Sequence, residues 1–508
     1  MSQITNLARI TVEIDAVPLT PVMARMLGEV CVQQRLSAPT QCELVFVDSV
    51  GNFNQTAPIT LGQKLRVSVK TQEPELFSGE VTAVEYVYSP DHRCEIHVRA
   101  YDLSHRLRKH QPVRAHVQVT LADLAREMAS GAGLQVEALV DSPVWNRLLQ
   151  HQQSDLDLLV EIAERCGMYF VTRGNTLYLF TLEGFGQPIT LELGTSLFEA
   201  RIEINGQHSC QTVSTTGWDP WHAEARSGQA SNARLGRDIS MSAPPSRVGS
   251  DGERTLTDLS LQEDRQAETV AQAELDWRAA SEVTFWGVAE GNTTLQPGAL
   301  VNVQGVANSL TGQYVLSLVK HTIDARRGYI SEISTAPPVT QQKRLRTGAT
   351  VVFGVISKIN DPEELGRVQA SLPALGDVET DWMQVLSLSG GSGKGLIMMP
   401  DIGDRVLVLC AGNDAAQGVV LGGLHGMNGL PDDVIGDGAV QRFTLCLPGG
   451  QRIQMDDSTQ SIRLENSEGS FIEMLPDKVM LHASTDLEIE APGRSIVIRA
   501  DKIDFQRG

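Results

Sequence analysis

The stretch with the strongest chemical look is "SGGSGKGLIMMPDIGDRVLV", from Ser389 to Val408. In a nucleotide hydrolase, residues such as Gly390, Gly391, Gly393, Lys394 and Gly395 would cradle phosphate with backbone N–H groups and a lysine charge. That chemistry needs a glycine five places before the Gly-Lys pair, and a Ser or Thr after it to hold magnesium. Leu388 and Gly395 stand at those two places. No helix pattern follows, as a phosphate loop requires. Two short apolar runs flank Pro400 and the Asp401–Gly403 turn, which reads as strand, turn, strand. The glycines are therefore expected to form a loop between two barrel strands, with Gly403 taking a positive φ.

Other reactive residues lack companions. Asp432–Asp433 and Asp456–Asp457 are adjacent carboxylates, but neighbours on an extended chain point to opposite faces and cannot flank one bond as glycosidase pairs do. His208 and Cys210 lie close, with no second pair at ligand spacing to complete a metal site. Seven scattered cysteines without a Cys-x-x-Cys read as reduced, apolar residues. No Gly-x-Ser-x-Gly and no His-Glu-x-x-His occurs. The expectation is a protein with no catalytic residues, no metal and no cofactor.

The elements that would position these residues are mostly strands. At 508 residues the chain exceeds one core and should divide into several domains. A net charge of −20 argues against nucleic acid and anionic membranes as partners. The start shows no basic segment followed by an apolar run, so synthesis in the cytoplasm without a signal peptide is expected. Residues 1–340 alternate apolar and polar positions in many short runs, broken by three helical patterns. "TLADLAREMASGAG" has an apolar face and a stop at Gly131. "SDLDLLVEIAERCG" has Ser154 as cap, Asp155 and Asp157 at the positive end, and Gly167 beyond the last turn. "SLQEDRQAETVAQAELDWRAAS" is the third. Two barrel-like subdomains are expected, with a boundary near 190. A polar, basic linker, 336–349, leads to strands over 350–425 that suggest a five-stranded barrel of the OB type. With two aromatics and four basic against nine acidic residues, it is a poor nucleic-acid groove.

After a second linker, 426–439, residues 440–508 change character. Short alternating strands recur every eight to ten residues, carrying Ile462, Leu464, Ile472, Leu481, Leu487, Ile489, Ile496, Ile498 and Ile503 on one face. Their neighbours, such as Arg463, Glu465, Glu473 and Glu488, are polar. One narrow row of strands has no opposite wall and leaves its edges open. Three copies wound about one axis would supply both, as a triangular β-prism with those residues in its dry core.

The order of these parts resembles the VgrG-type spike protein of contractile injection systems. "QQSDLDLLVEIAERCGMYFV", "LQPGALVNVQG…GQYVLSLVKH" and "GRVQASLPALG…DWMQVLSLSGGSGKGLIMMPDIGDRVLVLCAGNDAAQGVVLGGLHG" carry the likeness, and the last is the most specific. The resemblance implies a mainly β chain with minor α and a homotrimer in which the hub meets the inner tube. The OB barrels would form a collar, and the intertwined β-helix a needle that pierces envelopes. A PAAR-type tip protein would seat around Ile503, Asp504, Phe505, Gln506 and Arg507, because the tail has His482 but no His-x-His pair to close its own tip. Baseplate proteins would be further partners. No lysozyme separates barrel from prism, and no effector domain precedes Gly508. A compact spike of an extracellular phage-tail-like particle is the expectation, with a type VI or prophage spike as the alternative. A tailspike-like polysaccharide-degrading enzyme is the rival from another class.

Overall fold

The computed structural model describes residues 10–48, 59–70, 72–90, 94–219, 224–249, 252–261, 263–339, 349–411, 418–426 and 429–506. Its largest element is an antiparallel sheet of eleven strands. Their spatial order is Leu197–Ile204, Val283–Glu290, Gly328–Ser334, Leu318–Asp324, Leu27–Arg35, Gln41–Asp48, Cys94–Tyr101, Phe77–Tyr88, Lys64–Val69, Ile10–Ile14 and Val17–Pro18. The two halves of the hub therefore share one sheet. Their seam is the pairing of Leu27–Arg35 with Leu318–Asp324, with Val30 opposite Ile323 and Val32 opposite His321. Two cores sit on that sheet. One gathers Val32, Phe46, Val67 and Val98, and the other Phe285, Val303, Val319 and Ile333. The strict alternation of the strands sends every second residue inward, which is why so many short runs add to one wall.

The three expected helices form. Leu121–Ala132 starts at Thr120, whose hydroxyl accepts from the Asp123 amide while the Asp123 carboxylate accepts from the Thr120 amide. It ends at Gly133, φ 78°, rather than at Gly131. The later glycine lies where the chain must turn left-handed to close the Schellman bonds, while Gly131 sits in the last helical turn. Asp155–Arg165 has the same capping box between Ser154 and Asp157, and Gly167 follows with φ 63°. Leu121, Leu124 and Met128 meet Leu158, Leu159 and Ile162 in a shared core. The third helix, Asp264–Glu282, lies against Gly167 so closely that a Cβ there would stand 2.9 Å from Ala273 Cα. A short helix over Pro21–Met26 was not read from sequence; proline at its start and Thr20 as cap are its signal.

The OB barrel is a six-stranded sheet, ordered Val378–Glu379, Gln369–Leu372, Ala349–Lys358, Arg405–Ala411, Gly418–Leu424 and Gln384–Val385. Ile356, Val368, Leu372, Val406, Val408 and Val420 fill it. The run "GLIMMP", read above as a strand, has no ladder and is exposed. Arg367 and Asp361 lie buried beside the core in a two-pronged pair at 2.9 and 2.7 Å. The arginine hydrogen bonds hold the Asp361 carboxyl down to about 2. Arg147 ties hub to barrel by donating to the carbonyls of Glu379, at 2.6 Å, and Thr380.

Residues Leu424–Gly508 form a second compact unit. Five strands, Arg442–Cys446, Arg452–Asp456, Ser461–Glu465, Phe471–Met474 and Val479–His482, pair with their chain neighbours in an antiparallel meander. Beyond His482 the described residues contain no strand.

Candidate functional site

The meander is built with its polar side internally satisfied and its apolar side open. Cross-strand register aligns Leu445, Ile453, Leu464, Ile472 and Leu481 in one row, and Phe443, Met455, Ile462, Met474 and Val479 in a second. All ten side chains remain between 38 and 70% exposed. Such a ladder of apolar pairs normally faces a core, because period two sends it all to one side of the sheet.

The opposite side pairs its own charges. Asp432 accepts from Arg442 at 2.8 Å, from Gln454 at 2.9 Å and from Thr444. Arg442 also reaches Asp456 at 2.7 Å, and Asp456 accepts from the Ser458 hydroxyl at 2.5 Å and the Thr459 amide at 3.2 Å. The Ser458 hydroxyl, with Thr459 and Arg442, pulls the Asp456 carboxyl down to about 2. Asp432 is lowered as well, by Thr444 first. Arg463 binds Glu465 at 2.9 Å and Glu473 at 3.3 Å, and its guanidinium lies 3.9 Å from the centre of the Phe471 ring. Phe471 in turn stacks on His482. Asp432 and Asp456 thus belong to a structural knot about one arginine, where sequence reading had set each beside an adjacent aspartate.

The expected prism-core residues divide. Ile462, Leu464, Ile472 and Leu481 lie together in the ladder. Leu487, Ile489, Ile496, Ile498 and Ile503 follow it, each about half exposed or more and outside any strand of the single chain. Phe443, Leu445, Ile453 and Met455 belong to the same rows and were missed, although "FTLCL" and "RIQMD" alternate just as clearly. At the expected tip, Asp504, Phe505 and Gln506 are exposed, Phe505 at 93%, and Lys502 reaches Asp504 at 2.6 Å. Arg507 lies outside the described residues.

The remaining sequence candidates take structural positions. Gly391 and Lys394 exchange backbone hydrogen bonds at 3.0 and 3.1 Å across a tight turn. Gly393 and Gly395 supply positive φ values of 68° and 144°, and Gly390 packs against the Ser387 backbone. No helix follows to aim amides at a phosphate. Gly403, φ 90°, closes the next turn, where the Asp404 amide donates to the Asp401 carbonyl. His208 packs edge-on against Trp277, and the Cys210 thiol donates to the Gly252 carbonyl at 2.9 Å. Among the described residues, no group of three His, Cys, Asp or Glu side chains could hold a metal. No helix among them is long and apolar enough to cross a membrane.

Residues 23–325, more than half of the chain, match the model of the Alg8 N-terminal domain. The chain belongs to the Alg8 N-terminal domain family. Residues 352–425 match a second model, the type VI secretion system/phage-baseplate injector OB domain. A chain of the lidded Francisella PdpA-VgrG complex aligns with a TM-score of 0.56 at 10% identity, over 94% of this chain and 81% of that one. The E. coli c3393 protein is described as a type VI secretion component similar in structure to T4 tail proteins gp27 and gp5. It aligns at 0.52 and 11% identity, over 82% of this chain and 99% of its own. The 43 kDa tail protein of prophage MuSo2 from Shewanella oneidensis aligns at 0.50 and 14% identity, over 64% and 97%. No curated protein sequence matches the chain. Hub, OB barrel and C-terminal β unit follow in the order expected from sequence, and the fold is that of VgrG-type spike proteins.

Proposed function

We propose that the chain assembles as a homotrimer and serves as central hub and spike of a contractile injection particle. The observation that carries this reading is the exposed two-row apolar ladder. Five strands are complete on their polar side and wanting only a cover on the other, and the cover that matches them in length and register is the same ladder from two further copies. In that arrangement the segments around Leu487, Ile489, Ile496 and Ile498 gain their hydrogen-bonding partners from neighbouring chains. The intertwined strands then act as a stiff rod, driven through an envelope by contraction elsewhere in the particle. A PAAR-type tip protein would seat at the Ile503–Gln506 end, and tube and baseplate proteins at the hub. The role is mechanical, with no catalytic residue. We place the chain in an extracellular phage-tail-like particle, the type VI and prophage settings being the other homes of this fold.

Light scattering of the purified full chain tests the trimer: three times the 55.2 kDa chain mass is expected, and a monomer at micromolar concentration overturns the reading. Antibody labelling of sheathed particles in culture supernatant is expected; labelling confined to envelope-anchored machines would move the chain to the type VI setting. Turnover of purified bacterial surface glycans would revive the enzyme reading.

A further inference from the structure

The hub holds a cleft of about 970 Å³, a size that takes a small polar molecule. Thr11, Ser68 and Ser78 line it from the eleven-stranded sheet, and Thr172 and Arg173 from the hairpin that turns at Gly174. Much of the lining is finished. Asp102, 4% exposed, accepts from the Thr40 amide at 2.8 Å, the Ser104 amide at 3.0 Å and the Ser104 hydroxyl. Arg66 pairs with Glu75 at 2.8 Å, and Gln72 bonds to the Gly291 carbonyl and the Thr293 amide. Two residues are not finished. Gln34 is 5% exposed, yet its side chain has no hydrogen-bond partner among the described residues and its Oε1 is buried. Arg173 donates to the Pro297 carbonyl at 3.2 Å and lies 3.9 Å from the centre of the Phe185 ring. It pairs with no carboxylate among the described residues, and its Nε is buried without an acceptor. Burial pulls the guanidinium down to about 10. Buried charges are ordinarily paired and buried amides bonded, so both residues lack a partner that a ligand can bring.

We infer that this cleft binds a small monocarboxylate with a polar, uncharged body, its carboxylate held by the Arg173 guanidinium and the Gln34 amide. A guanidinium presents its N–H groups as a fork that matches a carboxylate, and the pair is stronger than a neutral hydrogen bond. The Gln34 amide adds a further N–H, or by turning over offers its carbonyl to a hydroxyl or amide of the ligand. The Thr11, Ser68 and Ser78 hydroxyls suit the rest of a polar body, since each both donates and accepts. One negative charge is the limit. Glu13, Glu73 and Asp102 line the same cleft and would repel a dianion such as phosphate. Sugar acids and acylated amino acids share the required chemistry. The cleft lies within one chain, so the inference stands apart from the homotrimer proposed above.

Isothermal titration of the full chain tests this with glucuronate, N-acetylglycine and the methyl ester of each. At least one acid should bind while its ester does not, and the acid that binds tells a sugar acid from an acylated amino acid. Arg173→Met should weaken that binding about tenfold or more, since it removes the charge that pairs with the carboxylate. Gln34→Leu should weaken it about threefold or more by removing one hydrogen bond. Circular dichroism should show both variants folded; if Arg173→Met does not fold, Gln34→Leu decides. Binding of neither acid at millimolar concentration, equal binding of acid and ester, or wild-type affinity in either folded variant overturns the inference.

Discussion

Arg442 organises the start of the C-terminal meander because its guanidinium engages two carboxylates from different segments. Depressed carboxyls stabilise the fold above the ordinary carboxylate range, near pH 4, and lose that contribution as protons bind. With Asp456 at about 2, the window of loss runs from about pH 4 down to pH 2. We expect Arg442→Met to weaken hydrogen-exchange protection of strands Arg442–Cys446 and Arg452–Asp456 at neutral pH. The difference from wild type should shrink on acidification and vanish near pH 2, after correction for intrinsic exchange rates. A difference independent of pH would show that packing of the arginine stem, and not its ion pairs, holds the strands. None of this knot was legible in the sequence. Asp432, Arg442 and Asp456 carry no spacing signal, because hairpin register and not chain distance brings them together.

The helices show the reverse case, with local rules sufficient. Ser154 with Asp157 three places on is a capping box readable in four letters, and Gly167 after "AERC" marks the stop. The strands of the meander were equally legible, since alternation alone assigns Ile462, Leu464, Ile472 and Leu481 to one face. What sequence could not give is the partner of each strand. It reads as two barrel-like subdomains, whose two separate cores are present, but not as the one eleven-stranded sheet that joins them, because pairing between Leu27–Arg35 and Leu318–Asp324 spans almost the whole hub. It also supplied a strand at "GLIMMP", where apolar residues are present but no edge is. Gly167 offers a check at this scale. Its φ of 63° and its approach to Ala273 leave no room for a Cβ, so Gly167→Ala should cost roughly 1–3 kcal/mol. Chemical denaturation of the hub should show it, and Gly131→Ala, in open space inside a helix, should be neutral or slightly stabilising.

For the molecule as a whole, the ladder decides what state the chain can occupy. Replacing Ile489 and Ile498 by aspartate puts charges where the trimer would have a dry axis, at several kcal/mol per copy. The double variant should sediment as a monomer, with the hub and OB barrel still folded by circular dichroism. An intact trimer would mean that the tail beyond His482 lies outside the interface and that only the five-stranded ladder makes it. The meander also has a consequence for how such chains can change in length. Each strand adds one residue to each apolar row, and the turns lie off both rows. Excising the two strands Ser461–Glu465 and Phe471–Met474 with their turn shortens the rows yet leaves every later side chain on its original face. Deleting one residue within Ser461–Glu465 inverts the faces of all that follows. Insertions and losses should therefore be tolerated in whole hairpins, so that reach can be adjusted by steps while single-residue slips are lethal to assembly.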